Sequence, residues 1–529
     1  MPPGRGAQRP TSVCSLPHLL AVLTLLSLVA LGTPTAKAQQ YDAQEGLGHA
    51  SLSGLKTTAG IGLSGTYSDN VNLASGSNKQ SDFYTSISPR IGMTYNGPRL
   101  TFAGTYSPTA VVYANNSDFN SWYNALNATS TLTAIDNLFY IDAAVNISQQ
   151  YLSSFAPVPV DLGTTTANRF ESRVYSLSPY FKGTTNSGVS YELRERNTWA
   201  NANTSTVSNS QFQEWSATAN KAVGVYSVGA DYDRQETNYA AQNSLVTSVS
   251  RLRLGYQVNP ELRLTLRGGY TTNNYFVNQQ SGVLYGAGLD ATPTPRTSVS
   301  GYWEHQFYGD SYSLTASHRR RLTAFTLSAS RQLSTYPQAL LSIPSGNTSA
   351  LLDAALTARI PDPVQRQAFV NQFMQQTGLP SFLTSPYAYN TNTVSLVNQV
   401  TGSIALLGVH NSMVFSAYHS SSENVGQPGV TVPPSLLLNS NFTSDGGSAN
   451  YTHNISPKST LEVTLSRIYT NSNQQSNTDT TQDLVRLMIT NRLGVKTTGS
   501  IGVRYQHITS TVVPTAIEHA IFATLDHNF

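Results

Sequence analysis

Arg251 and Arg253 alternate with Leu252 and Leu254, and beyond Asn259-Pro260 the residues Arg263 and Arg267 alternate with Leu262, Leu264 and Leu266. Successive side chains of an extended chain point to opposite faces, so the four arginines share one face and the leucines the other. Guanidinium groups gathered in this way either pair with acids or attract anions. A three-residue turn at Asn259-Pro260 would set Arg251 opposite Arg267, a like-charge juxtaposition that acids, water or an anionic ligand must relieve. Arg194 and Arg196, alternating with Leu193 and following Glu192, extend the basic set, and Glu192, Asp231 and Asp233 are the acids available to pair with it.

No other constellation carries chemistry. The hydrolase elbow G-x-S-x-G, the zinc helix H-E-x-x-H and the phosphate loop G-x-x-x-x-G-K-[ST] do not occur. His305, His318, His410 and His419 lack ligand spacing, which reads as no metal site. The reading is therefore a protein that is not an enzyme and needs no cofactor. Catalytic residues on neighbouring strands would leave no linear motif, so a hydrolase stays as the weakest alternative.

The elements that must carry the arginines are strands. Only 11% of residues are charged, and segments of about 10 to 14 residues with period-two alternation recur along the chain. Short turns are expected at Asn96-Gly97-Pro98, Asp136-Asn137, Thr184-Thr185-Asn186, Asn259-Pro260, Thr292-Pro293, Gly408-Val409, Ser456-Pro457 and Thr497-Thr498. Longer polar stretches fall between them, at 68–81, 152–168, 200–210, 273–282, 334–392, 420–440 and 470–480. This alternation of connection lengths is that of transmembrane barrels, and it predicts an all-β, antiparallel transmembrane β-barrel over 57–529 with about 22 strands, or 18 to 20 if weak pairs near 296–333 fail. Tyr67, Tyr113, Tyr151, Tyr239 and Tyr469, at strand ends, are expected in an interfacial girdle.

Both termini agree with an outer-membrane destination. Arg5 and Arg9, the apolar run Leu19–Leu31 and Ala36-Lys37-Ala38 read as an export signal over 1–38, followed by a short periplasmic segment over 39–56. Removing the signal takes away Cys14, the only cysteine, and three basic residues, leaving 31 − 3 = 28 basic against 28 acidic residues. A balance near zero argues against nucleic acid as a partner. In the last strand Ile521, Ala523, Leu525, His527 and Phe529 share one face and Thr524, Asp526 and Asn528 the other, up to the terminal aromatic. That pattern resembles the signal read by the barrel-assembly machinery, with Leu525 and Phe529 facing outer-membrane lipid and His527 departing from the usual residue. The expected location is the outer membrane of a Gram-negative bacterium.

The stretch 334–392 breaks the strand pattern. Ser349–Arg359 and Pro363–Gln376 have helical composition, with Asp362 as N-cap, Pro363 in the first turn and Gly378 then Pro380 at the end. A partly helical extracellular insert is expected, either narrowing the pore or capping its mouth. The cap is preferred, because Leu351, Leu352, Leu356, Phe369, Phe373 and Met374 need an apolar surface that a wet lumen hardly provides.

Gly65-Thr66-Tyr67-Ser68-Asp69-Asn70-Val71-Asn72-Leu73, Ser81-Asp82-Phe83, Ser88-Pro89 and the run from Leu138 through Phe139 and Asp142 to Ile147-Ser148-Gln149-Gln150 are short structural motifs. Together with Arg359-Ile360-Pro361-Asp362-Pro363, Arg366, Thr377-Gly378-Leu379-Pro380 and Leu406-Leu407-Gly408, their order resembles the PEP-CTERM-system-associated outer-membrane β-barrel proteins. The resemblance covers most of the mature chain. It implies a barrel linked to exopolysaccharide secretion or assembly, with extracellular polysaccharide as a partner, and it supplies no catalytic residues. The function expected is a conduit or export pore; a general porin and a structural or adhesive surface barrel are the alternatives.

Overall fold

The computed structural model describes residues 54–204, 206–239, 244–274, 281–341, 352, 353, 356, 366, 370, 394–408, 410–425, 441–473, 478–511 and 513–529. The expected signal peptide and nearly all of the 39–56 segment lie outside these residues. Twenty-four strand segments, from Leu55–Ser68 to Ala516–Asn528, form one antiparallel sheet. The sheet closes on itself, with Gly60 to Ser68 paired against Asn528 to Ala520.

Two strands of the wall are interrupted. Leu100–Tyr106 and Thr109–Tyr113 both pair with Asp82–Asn96, on either side of Pro108, which has no N–H to give the ladder. Ser121–Tyr123 and Leu126–Ile135 follow them as two parts of the next strand. Twenty-four segments less these two interruptions give 22 strands across the wall. A closed sheet pairs every wall strand on both sides, which is the condition for crossing lipid with strands.

Alternation along each strand sorts the side chains. Leu252, Leu254, Leu264 and Leu266 are exposed on the outside, as are Ile521, Leu525 and Phe529. Ten connections of two to four residues gather at one end of the barrel, at 97–99, 136–138, 185–188, 224–225, 260–261, 295–296, 320–322, 408–410, 457–458 and 493–496. The other end carries the longer ones together with a single further two-residue turn at 307–308, so the first end is periplasmic and the second extracellular. The expectations missed the turns at 224–225 and 320–322, where apolar Val225 and Leu322 hide the break; Gly224 makes its turn through a left-handed φ of +61°. Thr497 and Thr498, expected in a turn, instead begin the strand Thr497–Ser510.

The aromatic girdle needs correcting. Tyr67 and Tyr469 are exposed on the outer face, but Tyr113 and Tyr239 point inward and are buried. Tyr151 is turned to the loop, donating to the Pro159 carbonyl at 3.4 Å. One residue of error in a period-two pattern exchanges the faces. The insert also departs from expectation. A six-residue helix, Tyr336–Leu341, lies N-terminal to both segments expected to be helical. Most of 349–376 lies outside the described residues; of those described, Leu352, Asp353, Leu356, Arg366 and Val370 have helical backbone.

Candidate functional site

The four arginines occupy the inner wall. The hairpin carrying them turns at Pro260-Glu261, with a bulge between Gln257 and Asn259, and this sets Arg253 opposite Arg267 and Arg251 opposite Gly269. The expected pairing of Arg251 with Arg267 is therefore wrong by two residues, because the turn holds two residues and the bulge absorbs another. Acids relieve the juxtaposition. Arg251 Nη1 lies 3.2 Å from Asp233 Oδ2, Arg253 Nη2 donates to Asp231 Oδ1 at 2.6 Å, and Arg267 Nη1 lies 3.0 Å from Glu304 Oε1. Arg251 Nε also reaches Glu304 at 3.1 Å, so one carboxylate, 1% exposed, serves two arginines. Arg263, nearer the periplasmic end, donates to Ser227 Oγ at 2.5 Å.

Glu304 was not among the expected partners, because it lies three strands from Arg251. It reaches because Gly286 stands between them. A Cβ there would fall 2.8 Å from Glu304 Cα and 2.9 Å from its Cγ. The Arg267 guanidinium also lies over the Tyr302 ring at 4.1 Å, and Arg194, paired with Glu192 and Asp142 at 2.8 Å each, lies over Tyr180 at 3.7 Å. Among the described residues no group of three His, Cys, Asp or Glu is arranged to hold a metal.

The 335–394 insert turns into this lumen. Its helix Tyr336–Leu341 leaves the strand Thr323–Ser334 and lies against the strands Val189–Ala202 and Ser210–Val223 on the far wall. Tyr336 is buried with Phe170 and Val207, and Gln338 Nε2 donates to Gln235 Oε1 at 2.6 Å. Burial raises the pKa of the Tyr336 hydroxyl, so it stays neutral. Tyr239 and Leu245 of the same far wall share an apolar cluster with Val394 and Val425. The mouth is thus bridged.

Further along the insert, Leu352, Leu356 and Val370 are buried in one cluster with Ala324, Ala405, Leu407 and Val414. Those four wall residues lie beside the periplasmic turns at 320–322 and 408–410. Ala405 is ten residues from the extracellular end of its strand Ser395–Leu407, so the insert descends about 33 Å along the wall. The preference for a cap over an inward fold is overturned: the lumen does offer an apolar surface, made where Ala324, Ala405, Leu407 and Val414 replace the polar inner residues found elsewhere. Arg366 Nε meets Asp353 Oδ1 at 2.7 Å within the insert. Asp362, Pro363, Gly378 and Pro380 lie outside the described residues.

A second segment, 152–168, turns inward against the seam that closes the barrel. Arg504, 4% exposed, meets Asp161 Oδ2 and Glu518 Oε1 at 2.7 Å each. Tyr84 donates to Asp161 at 2.6 Å, Ser68 donates to Glu518 at 2.8 Å, and Thr164 donates to Asp161 at 2.9 Å. Burial alone would raise the Asp161 pKa, but the Arg504 charge and these hydrogen bonds outweigh it and hold the carboxyl at about 2. Arg504 carried a sequence signal, since it alternates with Val503 and Tyr505 as the other inner arginines do with leucine. Asp161 carried none.

A closed, even-numbered antiparallel barrel with an apolar outer face and charged inner rows defines an outer-membrane β-barrel of a Gram-negative bacterium. No protein-family model and no curated protein matches the chain. Among solved structures the chain is similar to the siderophore receptor PirA of Pseudomonas aeruginosa, at 10% identity over 90% of this chain and 80% of that one, with a TM-score of 0.42. It is similar to the FrpB iron transporter of Neisseria meningitidis (F5-1 variant, apoprotein form), at 9% identity over 90% and 82%, with a TM-score of 0.45. The outer membrane protein opdK of Pseudomonas aeruginosa gives 7% identity over 90% and 99%, with a TM-score of 0.33. Likeness at this level is of one large barrel to another and carries no function.

Proposed function

We propose that this outer-membrane barrel is a conduit that its own 335–394 insert holds closed, and that its cargo is an exopolysaccharide secreted or assembled at the cell surface. The observation that supports the conduit is the burial of Leu352, Leu356 and Val370 against the lumen wall near its periplasmic end. A 22-strand barrel encloses a lumen too wide to be filled by wall side chains. A chain segment reaching down it is an obstruction, and one seated through a few aliphatic groups is displaceable. Each such side chain contributes about 2 kcal/mol on full burial. The polymer rests on the ordered sequence segments that resemble the PEP-CTERM-associated barrels, and the balanced inner wall suits a hydrated chain of low charge.

Removal of residues 345–385 tests the conduit. The shortened barrel should keep its heat-modifiable mobility on gels, and its single-channel conductance in planar bilayers should rise several-fold. Unchanged conductance in a folded deletion barrel rejects the reading. The cargo is tested separately: cells lacking the protein should lose surface polymer, and unaltered polymer would reject export while leaving the conduit in place.

A further inference from the structure

The outer face of the barrel carries a trough that the lumen account does not use. On four neighbouring strands Leu327, Gly402, Ala417 and Gly447 stand side by side. Next to this row toward the periplasmic end stands another, Thr297, His318, Phe325, Ile404 and Phe415. Small residues beside large ones leave a hollow of about 680 Å3 with an almost wholly apolar lining. That lies within the roughly 300–1,000 Å3 of ligand clefts. A Cβ on Gly402 would meet no atom within 4 Å, so the wall leaves this space open.

Directly below the hollow the barrel rim is basic. His318 lines it, and Arg319, Arg320 and Arg321 follow in the chain; Arg296 stands in the adjacent turn, and Arg319 Nη2 donates to the Pro295 carbonyl at 3.0 Å. Arg296, Arg320 and Arg321 are exposed, and among the described residues none of the four arginines has an ion pair. The sequence supplies no acid between Asp290 and Glu304 or between Asp310 and Asp353. This contrasts with the inner wall, where Arg251, Arg253 and Arg267 all have carboxylate partners.

An apolar hollow on the lipid face with unpartnered arginines at its periplasmic end is complementary to one kind of molecule. We propose that it binds an anionic glycerophospholipid of the inner leaflet of the outer membrane. The acyl chains would lie over Gly402, Ala417 and Gly447, and the phosphate would be held by Arg296, Arg320 and Arg321. Guanidinium groups bind phosphate through paired N–H donors, and the low-dielectric lipid surface strengthens that contact. The site depends on the barrel alone and is independent of what passes through the lumen.

Native mass spectrometry of the delipidated full-length barrel, titrated with dioleoylphosphatidylglycerol or dioleoylphosphatidylcholine, tests it. The anionic phosphatidylglycerol should be retained at least tenfold better. Gly402→Trp fills the hollow and should abolish that preference, and R320E/R321E, confined to a turn, should abolish it without touching a strand; heat-modifiable mobility reports folding of both. Equal retention of the two lipids by the native barrel overturns the proposal, as does full retention by the folded R320E/R321E barrel. A native dimer that Gly402→Trp converts to monomer also overturns it, since the hollow would then hold a second copy of the chain.

Discussion

Arg253 stands directly across from Arg267 in the ladder, yet neither charge is left facing the other. Arg253 turns to Asp231 on the preceding strand, and Arg267 reaches past Gly286 to Glu304 on the strand after next. The inner wall therefore holds Asp233, Arg251, Glu304 and Arg267 in one connected network, Arg251 bridging Asp233 and Glu304, with Arg253 and Asp231 as a separate pair beside it. A network of this kind fixes the lumen potential near neutrality and makes each member sensitive to loss of another.

Glu304→Gln should expose that dependence. Arg251 and Arg267 would lose their shared carboxylate, and breaking a buried pair from one side costs about 3 kcal/mol. Urea unfolding should shift by that amount, and bilayer reversal potentials should move toward anions. Reversing the charge in R251E/R267E should move them toward cations, with the effect fading in salt because screening acts within about 8 Å at physiological ionic strength. Unchanged selectivity in both folded variants would remove this network from transport.

The wall was legible in the sequence because barrel strands obey a rule of period two. Leu252, Leu254, Leu264 and Leu266 alone fix which face of that hairpin meets lipid, and the arginines follow. Register was not legible: the bulge beside Asn259 moved Arg251 from Arg267 to Gly269. Nor was the lumen filling. Leu352 and Leu356 announce a need for apolar cover, but only the closed barrel brings Ala324, Ala405 and Val414 together from three strands to supply it. The pairing of Asp161 with Arg504 spans 343 residues and leaves no local trace.

Acid should release the 152–168 segment. Asp161 titrates at about 2 in the folded barrel against an ordinary 3.8, so its contribution is complete above about pH 4 and is lost as pH falls through about 2. Linkage puts that contribution at about 2 kcal/mol. Limited proteolysis within 152–168 should stay flat from pH 8 to pH 4 and rise below it, measured with an acid-stable protease. Arg504→Gln, which strands two carboxylates, should make the segment cleavable at pH 7; resistance there would show that the latch lies elsewhere.

Leu352→Asp combined with Leu356→Asp should unseat the insert while sparing the wall. Among the described residues of that cluster a carboxylate facing Ala405 and Val414 has only aliphatic neighbours, and burying it unpaired costs more than the aliphatic contact gains. Conductance should approach that of the deletion barrel, with urea midpoints unchanged. A lowered midpoint with unaltered conductance would make these leucines part of the barrel's stability and not of its closure.

The seam between first and last strands sets the final expectation. Phe529 is 69% exposed on the outer face, and its backbone N–H donates to the Ala59 carbonyl at 2.9 Å. Its ring packs edge-on against His527 at 4.9 Å, and His527 Nδ1 lies 2.8 Å from Thr497 Oγ1. Deleting Phe529 removes both the last rung at the periplasmic end and an aromatic anchor at the lipid interface. The truncated chain should show less heat-modifiable barrel in outer-membrane fractions, while Phe529→Trp should restore it and Phe529→Asp should not. If the interface anchor is what matters, the loss should occur in vesicles as well as in cells. A defect confined to cells would place the role of Phe529 in recognition by the barrel-assembly machinery, and no defect in either would remove the terminal residue from assembly.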